Sequence, residues 1–441
     1  GTYEIVAGNV ITGATSAATA TIVKVILTSG TWAGGTAAGR LFFASQTGTF
    51  QSENLDVGAS LNVATIAGNS TAITLTASGR YEFENWNFGG GTGTKKMYGC
   101  DGVNQGFEFD GTTWVKISTG MTTDTPKHLH IHKNHLFFSF AGSLQHSGIA
   151  TPYTWTILSG SGEIACGDTI TGLTGVPGSE TAGAMAIYTN NRTLVLYGND
   201  SADWNLVPFS EESGAIAYTN QFISHGIGLD SRGLTLLSTT QAYGNFQNAV
   251  ISEQISPLLN NIINSAKASC IVRKKNQYRV FFSDNSAVYM TLKDKKILGL
   301  TSMTLSNDVT CISSQEGASG LEEIYFGSSN GFVYQMDIGT SFDGDPIYFN
   351  GELAFNHFGA PRQLKSFKKC AIEVTGNSYA EFTFGYSLSY GSTEFETGTT
   401  SSQTSNFAGS NWDSFVWDAF FWDGVTLSPS ECDMTGTAEN V

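Results

Sequence analysis

Between residues 79 and 340 one unit recurs: an apolar strand, a small polar turn and a second strand. Copies are read at 96–109, 135–143, 194–201, 234–240, 278–286 and 324–331. Their turns lie about 40 to 57 residues apart, near the period of propeller blades. A unit this small cannot cover its own apolar faces, so each copy must be covered by the next. Several copies carry another strand upstream, at 128–132, 184–188 and 268–272, each closed by a polar corner such as Lys133-Asn134. Three strands per unit are visible and a fourth is plausible. The reading is an all-β, divergent β-propeller of about six blades over 79–340.

The flanks read as β structure of other kinds. Residues 1–78 are rich in Gly, Ala and Thr, with short strands at 19–27, 41–43 and 49–50, and suggest a small barrel or sandwich. Residues 341–441 form a C-terminal β domain, with strands at 371–375 and 380–386 and a Ser/Thr-rich loop at 397–405. One helix is expected over 257–267. Ser256 and Pro257 open it, and Ile255, Leu258, Leu259, Ile262 and Ile263 share a face. Charged residues are only 14% of the chain and aromatics 12%, against about 25% charged in ordinary globular proteins. That balance suits extensive pleated surface rather than disorder.

Net charge is −16, which argues against gripping nucleic acid, since phosphate binding needs Lys and Arg. No run of about 18 apolar residues offers a membrane span or anchor. Cys100, Cys166, Cys270, Cys311, Cys370 and Cys432 are scattered and read as buried free thiols of a protein assembled in a reducing cytoplasm.

Catalytic signatures are weak. Five of the seven His lie between 128 and 146. In a strand His128, His130 and His132 share one face, opposite Leu129 and Ile131. A metal would need further ligands that the spacing does not supply, so polar positions on a half-buried strand are the stronger reading. Asp110-Gly111-Thr112-Thr113-Trp114 departs from the sialidase Asp-box and reads as a turn, with Trp114 packed between blades. Glu211-Glu212, Glu322-Glu323 and the Asp343, Asp345 pair fall in polar stretches and read as solvated surface. Nucleophile-elbow, zinc-protease and phosphate-loop patterns are missing. No catalytic residue, metal or cofactor is expected.

Two clusters point to contacts. Arg362, Lys365, Lys368 and Lys369 form a basic run in an acidic chain, read either as a docking patch or as a solvated strand edge. Trp412, Trp417 and Trp422, each followed by Asp, recur every five residues. Tryptophans so dense suit an intersubunit or interdomain contact.

The segments 323–344 (EIYFGSSNGFVYQMDIGTSFDG) and 355–362 (FNHFGAPR) resemble a stretch widespread in phage and prophage tail proteins, as does the Trp-Asp repeat at 412–423. The opening ITGATS at 11–16 with TSGTWAGG at 28–35 is similar to a small β module inserted in many phage structural proteins. With the blade pattern between them, the chain resembles the nozzle, or tail tubular protein B, family of short-tailed bacteriophages. That resemblance implies a non-enzymatic virion tail subunit assembled in the host cytoplasm as a homohexameric ring. Adaptor and tail-fibre proteins would be its neighbours, and genomic DNA would pass transiently at ejection. A receptor-binding fibre or spike is the alternative, and a glycan-cleaving propeller a third reading.

Overall fold

The computed structural model describes residues 2–91, 93–176, 183–211, 213–223, 225–240, 245–252, 255–293, 296–360, 363–376, 381–385, 402–406 and 426–438. Five four-stranded antiparallel sheets and one three-stranded sheet follow one another between 82 and 336, each with its strands in chain order. Blade 1 is Glu82–Trp86, Lys96–Cys100, Phe107–Phe109 and Trp114–Lys116. Blade 2 is Leu129–His132, His135–Phe140, Ser143–His146 and Gly162–Ala165. Blade 3 is Ile170–Val176, Ala184–Thr189, Thr193–Tyr197 and Asn205–Ser210. Blade 4 is Gln221–Ile223, His225–Asp230, Gly233–Thr240 and Asn245–Val250. Blade 5 is Ala266–Val272, Gln277–Phe282, Ser286–Lys293 and Lys296–Thr304. Blade 6 is Cys311–Glu316, Glu322–Gly327 and Val333–Met336. The first strand of every blade lines one central cavity, so the sheets stand around it as a six-bladed propeller.

Local chemistry sets the turns. Lys133 and Asn134 form the two-residue loop between paired His132 and His135, and both have positive φ (47° and 61°). That geometry is a type I′ turn, whose twist matches that of the strands it joins.

Strand alternation then assigns each side chain to a seam. In His135–Phe140, Leu136 and Phe138 pack with Tyr98 and Cys100 of blade 1, while Phe137 packs with Met185 and Leu196 of blade 3. In Gln277–Phe282, Tyr278, Val280 and Phe282 meet Ile227 and Leu229 of blade 4, while Phe281 meets Ile324 and Phe326 of blade 6. Blades 3 and 4 join through Ala186, Tyr188 and Leu237. With both faces buried, the central strands read as unbroken apolar runs.

Five seams are thus packed by apolar clusters, and among the described residues none joins blade 6 to blade 1. A polar strut spans the ring instead. The Arg80 guanidinium lies 3.6 Å from the centroid of the Tyr218 ring, ahead of blade 4, and donates to the Lys267 carbonyl of blade 5. Blade 6 is tied to blade 5 by the fully buried Arg279, whose guanidinium bonds both Asp337 oxygens at 2.7 and 3.0 Å.

Several elements depart from the sequence reading. The helix is Ser256–Ile262, continued by a 3-10 turn Ile263–Ser265, and ends where the first strand of blade 5 begins at Ala266. Ser256 is helical and makes no cap bond; Leu259 and Ile263 are buried, but Leu258 faces outward. Residues 238–240 continue a strand rather than turn. The run at 19–27 splits into Thr19–Thr21 and Lys24–Ser29, which join different sheets.

The N-terminal module is a five-stranded sheet with a two-stranded ribbon, closed over Ile11, Ile22, Phe50 and Leu55. Glu53 anchors it, accepting bonds from Ser16 Oγ and the Thr15, Ser16 and Gln51 amides. Against the desolvation that would raise it, these donors hold its carboxyl down at about 2.

Module and propeller form one compact unit, Gly1–Pro346, and Ile347–Val441 forms a second. In the second unit Lys365–Gly376 pairs with Thr426–Ala438, placing Cys370 opposite Cys432, and Glu381–Gly385 pairs with Ser402–Asn406. Part of the expected 397–405 loop is therefore strand.

Asp337→Ala leaves the buried Arg279 with Gln277 Oε1, Met336 Sδ and the face of the Tyr289 ring, 4.4 Å away, as partners. Removing one partner of a buried ion pair costs about 3–5 kcal/mol. The expected loss is near the lower end, because Gln277 still accepts. Urea unfolding of the variant reads it, and an unchanged midpoint would show that this bridge does not hold the blade 5–blade 6 seam.

Candidate functional site: the central channel

The inner strands enclose a cavity of about 390 Å³ bordered by all six blades. Period-2 alternation turns Glu82 and Glu84 of blade 1 to one side, toward blade 2. His128 Nδ1 donates to Glu82 Oε1 at 3.1 Å, and His130 Nδ1 to Glu84 Oε2 at 3.1 Å. The Ile131 amide also donates to Glu84 Oε2, at 3.0 Å. The backbones of Arg273 and Lys274 in blade 5 both donate to Glu322 of blade 6, at 2.8 Å. Glu82, Glu84 and Glu322 thus each accept across a blade seam, while the Arg273 side chain, which borders the cavity, is exposed.

The Thr171 hydroxyl and both carboxamide atoms of Asn220 are buried with no hydrogen-bond partner. Thr171 also borders a second cavity of about 310 Å³, next to Lys127, Asn190 and Asp230.

The histidines lie differently from the sequence expectation. The strand that carries them is covered on both faces, since His128 and His132 are as buried as Leu129 and Ile131. Being the innermost strand of blade 2, it has a neighbouring blade on each side. His132, His135 and His146 surround the Trp204 indole, with ring centroids 6.1, 5.7 and 5.9 Å away. His135 and His146 both donate from Nδ1 to the Ser147 carbonyl, at 2.6 and 3.1 Å. Among the described residues no three His, Cys, Asp or Glu side chains are arranged to hold a metal. Burial, reinforced by His130, Lys133 and His135, pushes the His132 imidazole down to about 4.

Other expected sites resolve as follows. Asp110 Oδ1 accepts from the Thr112 and Thr113 amides, making the expected turn, but Trp114 stacks on Phe107 of its own blade at 3.7 Å rather than between blades. Glu322 is an interblade clasp, not solvated surface. Cys100, Cys166 and Cys270 are buried free thiols, whereas Cys311 is exposed. Of the basic run, Lys365 donates to the Ala360 and Gln363 carbonyls at 2.7 and 3.0 Å, and Lys368 is exposed. Arg362, Trp412, Trp417 and Trp422 lie outside the described residues, as does the Lys369 side chain.

Sequence reasoning missed the channel residues Arg80, Glu82, Glu84, Thr171, Tyr218 and Asn220. One signal was available: the Glu82, Glu84 alternation matches the His128, His130 alternation. Only the fold sets the two strands side by side.

No family model and no curated protein matches the chain. Solved structures with some likeness include BBS1N in complex with ARL6DN, soaked with mercury: 14% identical, TM-score 0.39, covering 58% of this chain and 77% of that one. Another is Raptor of Chaetomium thermophilum, 11% identical with a TM-score of 0.35, covering 50% of this chain and 20% of that one. Likeness at this level adds nothing to what the blade topology establishes.

The His132 environment gives a pH dependence with a definite sign. The imidazole titrates near 6.5 when unfolded and near 4 when folded. Between these values the unfolded chain holds the extra proton, so stability falls as pH falls from 6.5 to 4, by up to about 3 kcal/mol. Thermal unfolding of His132→Gln followed over this range is expected to give a flatter profile than the parent. Parallel profiles would assign the acid sensitivity to other groups.

Proposed function

We propose that this chain is a non-enzymatic structural subunit of a phage tail, of the nozzle type, acting in a homo-oligomeric ring through which DNA leaves. The observation that carries the reading concerns the tail-protein-like segment 323–344. Its first part forms the outer hairpin of blade 6, Glu322–Gly327 with Val333–Met336. Phe332, Val333 and Ile338 on and beside that hairpin are 66%, 73% and 62% exposed. Apolar side chains gathered at an uncovered sheet edge are what a neighbouring subunit covers.

The channel inside the propeller is not the DNA path. A cavity of about 390 Å³ holds a small molecule, whereas the major groove of duplex DNA alone is about 12 Å wide. In a ring the path lies between copies, and a net charge of −16 disfavours retention of a polyanion there. The module is fixed to the propeller by Lys24, which pairs with the buried Glu108 of blade 1 beside Lys96. Burial and the neighbouring Lys96 push the Lys24 amine down to about 7. The clasp suits a subunit that transmits force as one body.

Imaging of intact particles tests the reading. Density for this chain in a closed ring on the tail axis is the expected result. Label on peripheral fibres would favour receptor binding, and absence from the particle would reopen the enzyme reading. In solution, Val333→Asp is expected to reduce ring assembly, measured by sedimentation velocity, while leaving the circular dichroism spectrum unchanged. Undiminished assembly would remove blade 6 from the interface.

A further inference from the structure

We infer that Cys370 and Cys432 are the two halves of a redox-sensitive disulfide site, oxidised by exchange with a low-molecular-weight disulfide. This goes beyond the tail reading and does not depend on it.

Backbone register is the first constraint. Lys365–Gly376 and Thr426–Ala438 pair antiparallel with Cys370 opposite Cys432. The register runs unshifted from Lys369 opposite Asp433 to Gly376 opposite Thr426, and the one shift lies between Phe367 and Lys369. Directly opposite residues of an antiparallel pair have Cα atoms about 4.5 or about 5.5 Å apart, according to their hydrogen-bonding phase. A disulfide spans about 4.4 to 6.8 Å between Cα atoms, so either phase admits one. A slip of one residue would put the two cysteines on opposite faces. Composition is the second constraint. Cys100, Cys166, Cys270 and Cys311 are free thiols of the first unit. The second unit, Ile347–Val441, holds two cysteines. Strands of 12 and 13 residues offer them many positions, and they occupy facing ones. At these two positions the sequence reading of free thiols gives way to a pair.

The chemistry is thiol–disulfide exchange. One cysteine thiolate attacks a sulfur of oxidised glutathione and releases one glutathione thiol; the facing cysteine then attacks the mixed disulfide and releases the second. One S–S bond forms and one breaks. The cysteines lose two protons and two electrons, and the glutathione pair takes up both. Reducing surroundings hold the pair as thiols, and oxidising surroundings hold it as the disulfide. The bond matters mechanically. Among the described residues this sheet has two strands, and a two-stranded ribbon is marginally stable alone. A link closes residues 371–431 into a loop, and a cross-link over so long a loop removes much of the unfolded chain's freedom. The ribbon is thus unlinked under reducing conditions and stapled under oxidising ones.

The test uses the full chain, incubated with oxidised glutathione or with dithiothreitol, then denatured, alkylated and cleaved after glutamate. Cleavage after Glu373 and Glu431 places the two cysteines in separate peptides. In the oxidised sample mass spectrometry is expected to find these peptides joined, two hydrogens lighter than their sum. In the reduced sample both are expected alone and alkylated. The Tm of the oxidised parent is expected to exceed that of the reduced parent by about 5–10 °C, and Cys432→Ser is expected to abolish the difference. Where that variant fails to fold, the peptides of the parent decide. Separate alkylated or glutathione-bound peptides after oxidation, or a link from either cysteine to any other, would overturn the assignment. Joined peptides with the same Tm in both states would overturn the staple.

Discussion

A blade of this protein is apolar on both faces, and the rest of the structure follows from that. Phe137 and Phe138 are adjacent in the chain, yet one is buried against blade 3 and the other against blade 1. Neither contact can form within one sheet. Each blade therefore needs two neighbours, and wrapping the series into a ring gives the end blades a chance of a neighbour on their outer sides. Five seams obey this with continuous apolar packing. The sixth does not among the described residues; polar contacts elsewhere supplement the apolar seams, across the ring and between blades 5 and 6.

Those contacts are made by buried or half-buried charges, each answered. Arg279 meets Asp337 and Gln277, Arg80 meets an aromatic face and a carbonyl, and Glu322 gathers two backbone amides. Taking such groups out of water is expensive unless every one finds a partner. A chain with few charges can still place several of them in its interior because they are matched across blades that are distant in sequence. Arg80 and Lys267 are 187 residues apart. The Arg279 and Glu322 contacts hold blade 6 beside blade 5, whereas Arg80 reaches across the ring.

The inner wall is partly matched in the same way. Carboxylates of blade 1 accept hydrogen bonds from imidazoles of blade 2 along the channel wall. Thr171 and Asn220 are the unmatched remainder. Buried ring nitrogens of Trp114, His128, His132, His135 and Trp204 and the Tyr188 hydroxyl share that condition elsewhere in the propeller.

The sequence by itself determined the fold class, the blade period and the tight turns. These depend on local rules: strand alternation, apolar runs bounded by Gly, Asn and Asp, and two-residue corners such as Lys133-Asn134. It also located the interrupting helix, but not its end, because the inner strand of blade 5 claims Ala266 onward. What only the tertiary structure decided is which side chains meet. His128 and Glu82 are 46 residues apart, and no spacing rule connects them. The histidine strand looked half-exposed because alternation alone cannot say whether the second face meets water or another blade. Glu322 looked like solvated surface for the same reason. A side chain's partner across a seam is set by the order and angle of whole sheets, and that information does not exist until the ring closes.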